Sequence, residues 1–211
     1  MAEKNQPTRR RKRADGELSR GRILDAATEI AAERGYEGTS IGAVSAKCGL
    51  PASSIYWHFK DKDDLIAAVI ERSFGTWLSA WQLPDEGLTQ ERAASVGLQV
   101  AKALLDAPDF LRLGLMLALE RRPVEPRGRT MFLQVRAQAF RHLTQTIREL
   151  VPELQDADVN HLATYAMAGA DGLFIAKEID GDAVDLVMQL ELHARALVEL
   201  ARRLIDERTG R

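Results

Sequence analysis

Apolar residues recur at intervals of three and four along most of the chain, which is the spacing of amphipathic α-helices. In the first such segment, which begins at Ser19, Ile23 and Ile30 lie on one face and Gly35 offers a stop. Further helices, separated mainly by Pro and Gly residues, are predicted near 40–47, from 51 onward, and over 61–81, 89–106, 108–121, 129–150, 157–178 and 183–208. No segment alternates apolar and polar residues as a strand does, so the pattern predicts an all-α fold.

Charge is distributed unevenly along the sequence. Residues 1–62 contain 12 Lys and Arg against 8 Asp and Glu, whereas residues 63–211 contain 17 against 23. A basic end on an acidic body predicts that the first segment alone meets a polyanion. Residues 1–18 are polar and include a basic run at 9–13, so we expect a disordered arm that follows phosphates, with a solvated tail as the alternative.

Several classes of protein are disfavoured by composition. Cys48 is the single cysteine, which rules out an intrachain disulfide and favours a reducing, cytoplasmic compartment. No apolar run is long enough to span a membrane. The four histidines lack metal-ligand spacing, and the common catalytic and nucleotide-binding motifs are missing. The sequence therefore predicts a protein that is not an enzyme and that uses neither a metal nor a cofactor.

The segment 39–59 has the build of a helix-turn-helix. Gly49 lies in the predicted turn, where glycine supplies a left-handed backbone, and Pro51 suits the start of the next helix. Two helices joined in this way cross so that the second can lie in a DNA major groove. Phe59 is expected in the core, and Trp57 is expected to pack against the preceding helix or to face DNA. The first turn of the second helix, which reaches base edges in this geometry, contains Ala52, Ser53 and Ser54.

The same segment resembles the signature of the tetracycline-repressor (TetR) family. The resemblance is strong over residues 19–66. It is carried by Thr39-Ser40-Ile41, by Val44, by Gly49-Leu50, and by the run Ile55-Tyr56-Trp57-His58-Phe59-Lys60-Asp61-Lys62-Asp63-Asp64-Leu65. It implies a three-helix DNA-binding domain (19–62) and a larger helical domain (63–211) that dimerises and binds a ligand. The DNA contacts that it implies by position are Thr39, Ser40, Ala52, Ser53, Ser54, Tyr56, His58 and Lys62. Gly42 stands where some members carry a long base-reading side chain, so direct base readout is expected to be sparse.

The last two predicted helices carry apolar seams. The final seam begins at Ala183 and keeps the 4-3 spacing that is typical of coiled coils. Two such hairpins from two chains would form a four-helix bundle, which predicts a homodimer; the alternative is that one seam packs inside the monomer. The predicted interface residues are Leu162, Ala166, Gly169, Leu173, Val187, Leu190, Ala194, Leu197, Ala201 and Leu204.

Aromatic residues and methionines at helix spacing suggest a ligand pocket in the larger domain, with plain core as the alternative. Asp171 lies in a stretch, 166–176, that is otherwise free of charge. A buried charge needs a partner, so we expect Asp171 to pair with an arginine such as Arg136 or to meet a polar group of the ligand. The predicted pocket residues are Phe74, Trp77, Trp81, Phe110, Leu113, Met116, Leu117, Phe132, Val135, Phe140, Met167, Asp171 and Phe174.

These features together predict a ligand-responsive, homodimeric transcriptional repressor. A small, mainly apolar effector would release it from a roughly palindromic double-stranded operator. One alternative is an architectural DNA-binding protein without a ligand, for which no cavity is expected. Another is a small-molecule binding or enzymatic helical protein whose helix-turn-helix is vestigial, which would lack salt-sensitive DNA binding. An activator would share the same sequence features as a repressor.

Overall fold

The computed structural model of the chain describes residues 7–79, 89–120 and 123–209. Within these ranges every regular element is helical, which confirms the predicted all-α class. None of the described helices combines the length and the apolar character that crossing a membrane would need. The helices are α1 (Pro7–Gly38), α2 (Ile41–Cys48), α3 (Ala52–His58), α4 (Lys62–Ser79), α5 (Gln90–Asp106), α6 (Pro108–Leu119), α7 (Arg127–Leu150), α8 (Asp156–Asp180) and α9 (Leu186–Thr209), with a 3₁₀ turn at Gly181–Ala183.

The first of two compact units comprises the chain up to Ser73 together with Arg112–Leu133, whereas the sequence placed a domain boundary at residue 62. One apolar cluster, contributed by α1 to α4, forms the core that carries the helix-turn-helix. Burying such side chains is the main favourable contribution to folding, at roughly 1.5–3 kcal/mol for each large one. The most buried members of this cluster include Ile23, Leu24, Ala27, Val44, Ile55 and Leu65.

The second unit comprises Phe74–Leu111 and Gln134–Arg211. Within it α9 packs chiefly against α5 and also against α8. The backbones of α5 and α9 approach closely at Gly97, where an added Cβ would lie 2.6 Å from the backbone oxygen of Leu190. A side chain at this position would therefore force the two helices apart.

Residues 7–18 are helical, which corrects the expectation of a disordered arm over that stretch; residues 1–6 lie outside the described residues. Eight of these twelve residues are Arg, Lys, Ala, Glu or Leu, which favour helices, and Pro7 suits a first turn. α1 is then interrupted at Gly35, which has a φ of 67°, close to where the sequence predicted its end.

The last helix begins at Leu186 rather than near residue 183. Gly181 has a positive φ of 57°, which ends α8, and the carboxylate of Asp185 accepts a hydrogen bond from the backbone N–H of Met188 at 3.1 Å. Aspartate at this position caps a helix by satisfying one of its first free N–H groups. Ala183 therefore lies outside α9 and does not belong to its apolar seam.

Candidate functional site

α2 and α3 are joined by a tight turn that three residues shape. The hydroxyl oxygen of Ser40 accepts a hydrogen bond from the backbone N–H of Ala43 at 3.1 Å and so caps α2. Gly49 ends α2 with a φ of 66°, a left-handed conformation that glycine adopts without steric cost. Pro51 then precedes α3 with an extended backbone. The sequence folds here into the helix-turn-helix that its residues predict.

The turn is fixed by two side chains and by the core behind it. A guanidinium N–H of Arg22 donates to the carbonyl oxygen of Cys48 at 2.6 Å, and the Ser45 hydroxyl donates to the carbonyl oxygen of Leu50 at 2.7 Å. Ile55 is fully buried in the cluster formed with α1. One face of α3 is therefore anchored in the protein, and the opposite face is left to solvent.

Most residues predicted to contact DNA keep accessible surface. Thr39 differs, because it is fully buried and its hydroxyl donates to the carbonyl oxygen of Gly35 at 2.8 Å. Its side chain is occupied inside the unit, so we expect it to support the start of α2 rather than to touch DNA. The exposed residues of the set are Ser40, Ser53 and Tyr56. The half-buried ones are Ala52, Ser54, His58 and Lys62.

Lys62 is held at the end of α1 by three contacts. Its Nζ donates to the carbonyl oxygen of Tyr36 at 3.2 Å and lies 4.1 Å from the centre of that tyrosine ring. The same nitrogen lies 3.6 Å from the carboxylate of Glu37. A phosphate contact by Lys62 would therefore compete with an existing ion pair.

His58 and Trp57 lie side by side at the end of α3. Burial lowers the pKa of His58 because it disfavours the charged imidazolium, and the positive charge of Arg20 lowers it further. The His58 ring is therefore mainly neutral at pH 7. Trp57 meets it edge to face at 4.5 Å and is 75% exposed, so its indole lies on the solvent side of α3. Trp57 therefore takes the exposed one of the two positions that the sequence leaves open.

The second unit contains two adjoining apolar cavities among α5, α7, α8 and α9. The one that we call the inner cavity has a volume of about 140 Å³ and is lined in part by Trp77, Met167 and His193. The deep cavity has a volume of about 110 Å³ and reaches Ile147 and Val198. The two cavities share the lining residues Val96, Leu143, Ala166, Ala194 and Leu197.

Few of the residues predicted to line a pocket do line these spaces. Trp77 and Met167 line the inner cavity, and Phe140, Met167 and Asp171 line a separate opening between α7 and α8. Asp171 pairs with Arg136, one of the two alternatives drawn from the sequence. Trp81 lies outside the described residues. The remaining predicted pocket residues do not line these spaces. Phe74, Phe110, Val135 and Phe174 are buried in the second unit, and Leu113, Leu117 and Phe132 are buried in the first. Met116 is half exposed.

The aromatic residues fill space themselves rather than line it. The ring of Phe74 stacks on Trp77 at 5.9 Å and lies 5.7 Å from Phe110. The walls that the sequence missed come from α5 and α9, whose small and aliphatic residues leave room between the helices. The frequent Ala, Gly and Val residues of these helices are a sequence feature that fits cavity walls. The same composition also fits close packing, so it does not distinguish the two.

The apolar seams predicted to form a dimer interface are used within the monomer. Leu162, Leu190 and Ala201 are each less than 5% exposed, and Gly169 faces the ring of His193. Heptad spacing identifies an apolar stripe, and here helices of the same chain cover it. Seam residues that line the cavities are Leu162, Ala166, Leu190, Ala194, Leu197 and Ala201. Leu173, Val187 and Leu204 are half-buried.

A different apolar surface of α8 and α9 remains exposed. It consists of Tyr165, Ile175, Ile179, Met188 and Leu192, which are 38–75% exposed and which we call the outer stripe. A spacing of four places Ile175 with Ile179, and Met188 with Leu192, on one face of each helix. The 4-3 seam does not predict this surface, because the residues of the outer stripe fall outside that spacing.

A helix-turn-helix anchored on a helical core, with the outer face of its second helix exposed, is the arrangement by which proteins of the helix-turn-helix class place a helix in a DNA major groove. Residues 23–69 match the family model described as bacterial regulatory proteins, tetR family. This N-terminal segment of the chain is therefore similar to the DNA-binding domain of tetR-family regulators.

Curated relatives resemble part of the chain, and solved structures share its fold. The chain is 36% identical over 64 residues to the HTH-type transcriptional regulator AcrR of Shigella flexneri, a match that covers 30% of each protein. It is 27% identical over 112 residues to the HTH-type transcriptional repressor Rv1353c of Mycobacterium tuberculosis, covering 53% of this chain and 43% of that one. The matches thus span less than half of these curated relatives. A crystal structure from Saccharomonospora viridis, in complex with choline, shares the fold with a TM-score of 0.64 and 20% identity, covering 87% of this chain and 96% of that one.

Proposed function

We propose that this protein is a homodimeric transcriptional repressor that binds operator DNA through α3 and is released by a small molecule. The observation that carries the proposal is the exposed outer face of α3. Ser53 and Tyr56 lie on this face, while Ile55 anchors the helix in the core. The first turn of such a helix reaches base edges, and its hydroxyl groups can bond bases or phosphates. The relative Rv1353c is named a repressor, which supports this direction of regulation.

The outer stripe supports a homodimer. Met188 and Leu192 on α9, and Ile179 on α8, each expose more than 60% of their surface. Apolar side chains clustered on adjacent helices mark a surface that another protein covers. A second copy of this chain is the proposed occupant, since a two-fold dimer presents two recognition helices to successive major grooves, about 34–36 Å apart or a multiple of that.

The cavities of the second unit support a small-molecule effector. Both cavities have apolar walls, and a structurally similar protein was solved in complex with choline. α4 contributes residues to both units, so it provides a covalent link between effector binding and DNA binding. Coupling of this kind is reciprocal and typically amounts to about 1–3 kcal/mol.

The proposal is tested by selecting duplexes from a random library with the full-length protein. We expect enrichment of inverted half-sites, because a two-fold dimer reads the two strands alike. A variant with Ser53→Ala and Tyr56→Ala should enrich nothing, whereas Glu199→Gln, which lies on α9, should select the same motif. Failure of the wild-type protein to enrich any sequence, or enrichment by the double variant, would contradict operator recognition through α3.

A further inference from the structure

The opening between α7 and α8 combines charged and apolar walls. Its volume is about 480 Å³, and its walls include the apolar side chains of Phe140 and Met167. Three charged side chains line it: Arg136, Arg141 and Asp171. A pocket with apolar walls and a few placed polar groups is the usual form of a small-molecule site.

The charges of this opening do not cancel. Two guanidinium N–H groups of Arg136 donate to the carboxylate of Asp171, one from Nη1 to Oδ1 at 3.0 Å and one from Nη2 to Oδ2. This bidentate pair is largely shielded, since the Asp171 side chain is only 18% exposed. Arg141 adds a second guanidinium, so the lining carries two positive charges against one negative charge. The excess favours a negatively charged ligand group.

Met167 connects this opening to the interior. It lines both the opening and the inner cavity, where Trp77 and His193 form part of the wall. The inner cavity in turn shares five lining residues with the deep cavity. The side chain of Met167 therefore stands between the charged opening and the inner cavity, which adjoins the deep cavity. Methionine suits this position because its unbranched side chain changes rotamer easily.

We propose that the effector is an organic anion with an apolar tail, in the manner of a medium-chain carboxylate. Its carboxylate binds Arg141, beside the Arg136–Asp171 pair, and its tail passes Met167 into the inner cavity toward Trp77. Arginine suits this role because its planar N–H groups match the two oxygens of a carboxylate. The inference rests on the proposed response to a ligand and names the chemical class of that ligand.

A cationic ligand such as choline is disfavoured by the same geometry. Asp171 is the acidic residue of this lining, and both of its oxygens already accept hydrogen bonds from Arg136. Arg141 would repel a second cation. Phe140 alone offers a cation–π contact, which is a weak attraction at a partly solvated site.

The test is calorimetric titration of the full-length protein, without DNA, with octanoate, octylammonium, 1-octanol and choline, each below its aggregation limit. We expect octanoate to bind most tightly. Within the series hexanoate, octanoate and decanoate, each added CH₂ should lower Kd about threefold to fourfold, because it is buried in the apolar cavity. Quenching or a shift of tryptophan emission should accompany binding, since the tail approaches Trp77.

Two charge variants should change the affinity for octanoate in opposite directions. Arg141→Gln should weaken octanoate binding about tenfold, the loss of one charge-assisted hydrogen bond. Asp171→Asn should tighten it, because the negative charge of the entrance is removed. Arg148→Gln is the matched control, since it lies on α7 outside this lining and pairs with Asp156. It should leave the octanoate Kd unchanged.

Three outcomes would overturn the proposal: octylammonium or choline binding more tightly than octanoate, no dependence on tail length, or equal effects of Arg141→Gln and Arg148→Gln. Each of these leaves operator binding untouched, so failure of the ligand class is distinct from failure of the repressor. Octanoate that binds as predicted without weakening operator affinity would instead contradict the proposed release mechanism and leave the ligand class in place.

Discussion

At the scale of single residues, the outer face of α3 offers two kinds of contact. The Tyr56 hydroxyl extends from a largely exposed ring, whereas Ser54 lies in the first turn of the helix. Tyr56→Phe should weaken binding about tenfold or less on every sequence, because a phosphate contact carries no sequence information. Ser54→Ala should change base preference instead. Anisotropy measured on a panel of single-base operator variants separates the two effects, and uniform weakening by Ser54→Ala would make it a phosphate contact.

His58 should make operator affinity dependent on pH. Burial and Arg20 lower its pKa in the free protein, whereas a phosphate near the ring would raise it in the complex. DNA binding then takes up a proton, so affinity is highest at low pH and is lost as pH rises through the pKa of the complex. Titrations between about pH 5.5 and 8, where histidine changes charge, measure the slope. His58→Gln should flatten it, and an identical slope in that variant would assign the pH dependence to another group.

At the scale of elements, the sequence predicted the helices well and their partners poorly. Helix α2, its glycine turn and α3 follow from local rules, because Ser40, Gly49 and Pro51 each satisfy a specific backbone requirement. The apolar face of α9 was equally visible, yet spacing alone does not reveal which helix covers it. Leu190 meets α5 of the same chain because Gly97 allows a close approach, a tertiary fact that local patterns do not contain.

Gly49 gives a test at this scale. Gly49→Ala places a Cβ on a backbone with a φ of 66°, which should lower the free energy of unfolding by about 1–2 kcal/mol. Gly21→Ala is the matched control, because Gly21 is helical and an added Cβ there meets nothing within 4 Å. It should raise the free energy of unfolding by up to about 1 kcal/mol. Urea denaturation measures both changes, and equal shifts would show that the left-handed turn is unstrained.

At the scale of the whole molecule, the outer stripe predicts the oligomeric state. Leu192→Arg should give a folded monomer, because it places a charge on an exposed surface that a second copy would bury. Val124→Arg, at a site that is 80% exposed, is the control and should remain a dimer. Sedimentation velocity with circular dichroism distinguishes the species. A dimeric Leu192→Arg protein would show that the interface lies elsewhere.

Leu190→Arg tests whether the buried seam of α9, rather than the outer stripe, forms the dimer interface. Leu190 is 2% exposed and lines the inner cavity, so a charge there should unfold the second unit rather than simply separate two chains. Loss of the cooperative thermal transition is the expected readout. A folded, monomeric Leu190→Arg protein would instead indicate that the 4-3 seam predicted from the sequence forms the dimer interface.

Operator recognition is the central claim, and one titration tests it most directly. Fluorescence anisotropy would compare the selected palindromic duplex with a scrambled duplex of equal composition, at the same salt concentration. Specific regulators bind their sites about 10³-fold or more tightly than other DNA, so we expect at least that ratio, with two chains per duplex. Equal affinity for the two duplexes, or one chain per palindrome, would contradict the account.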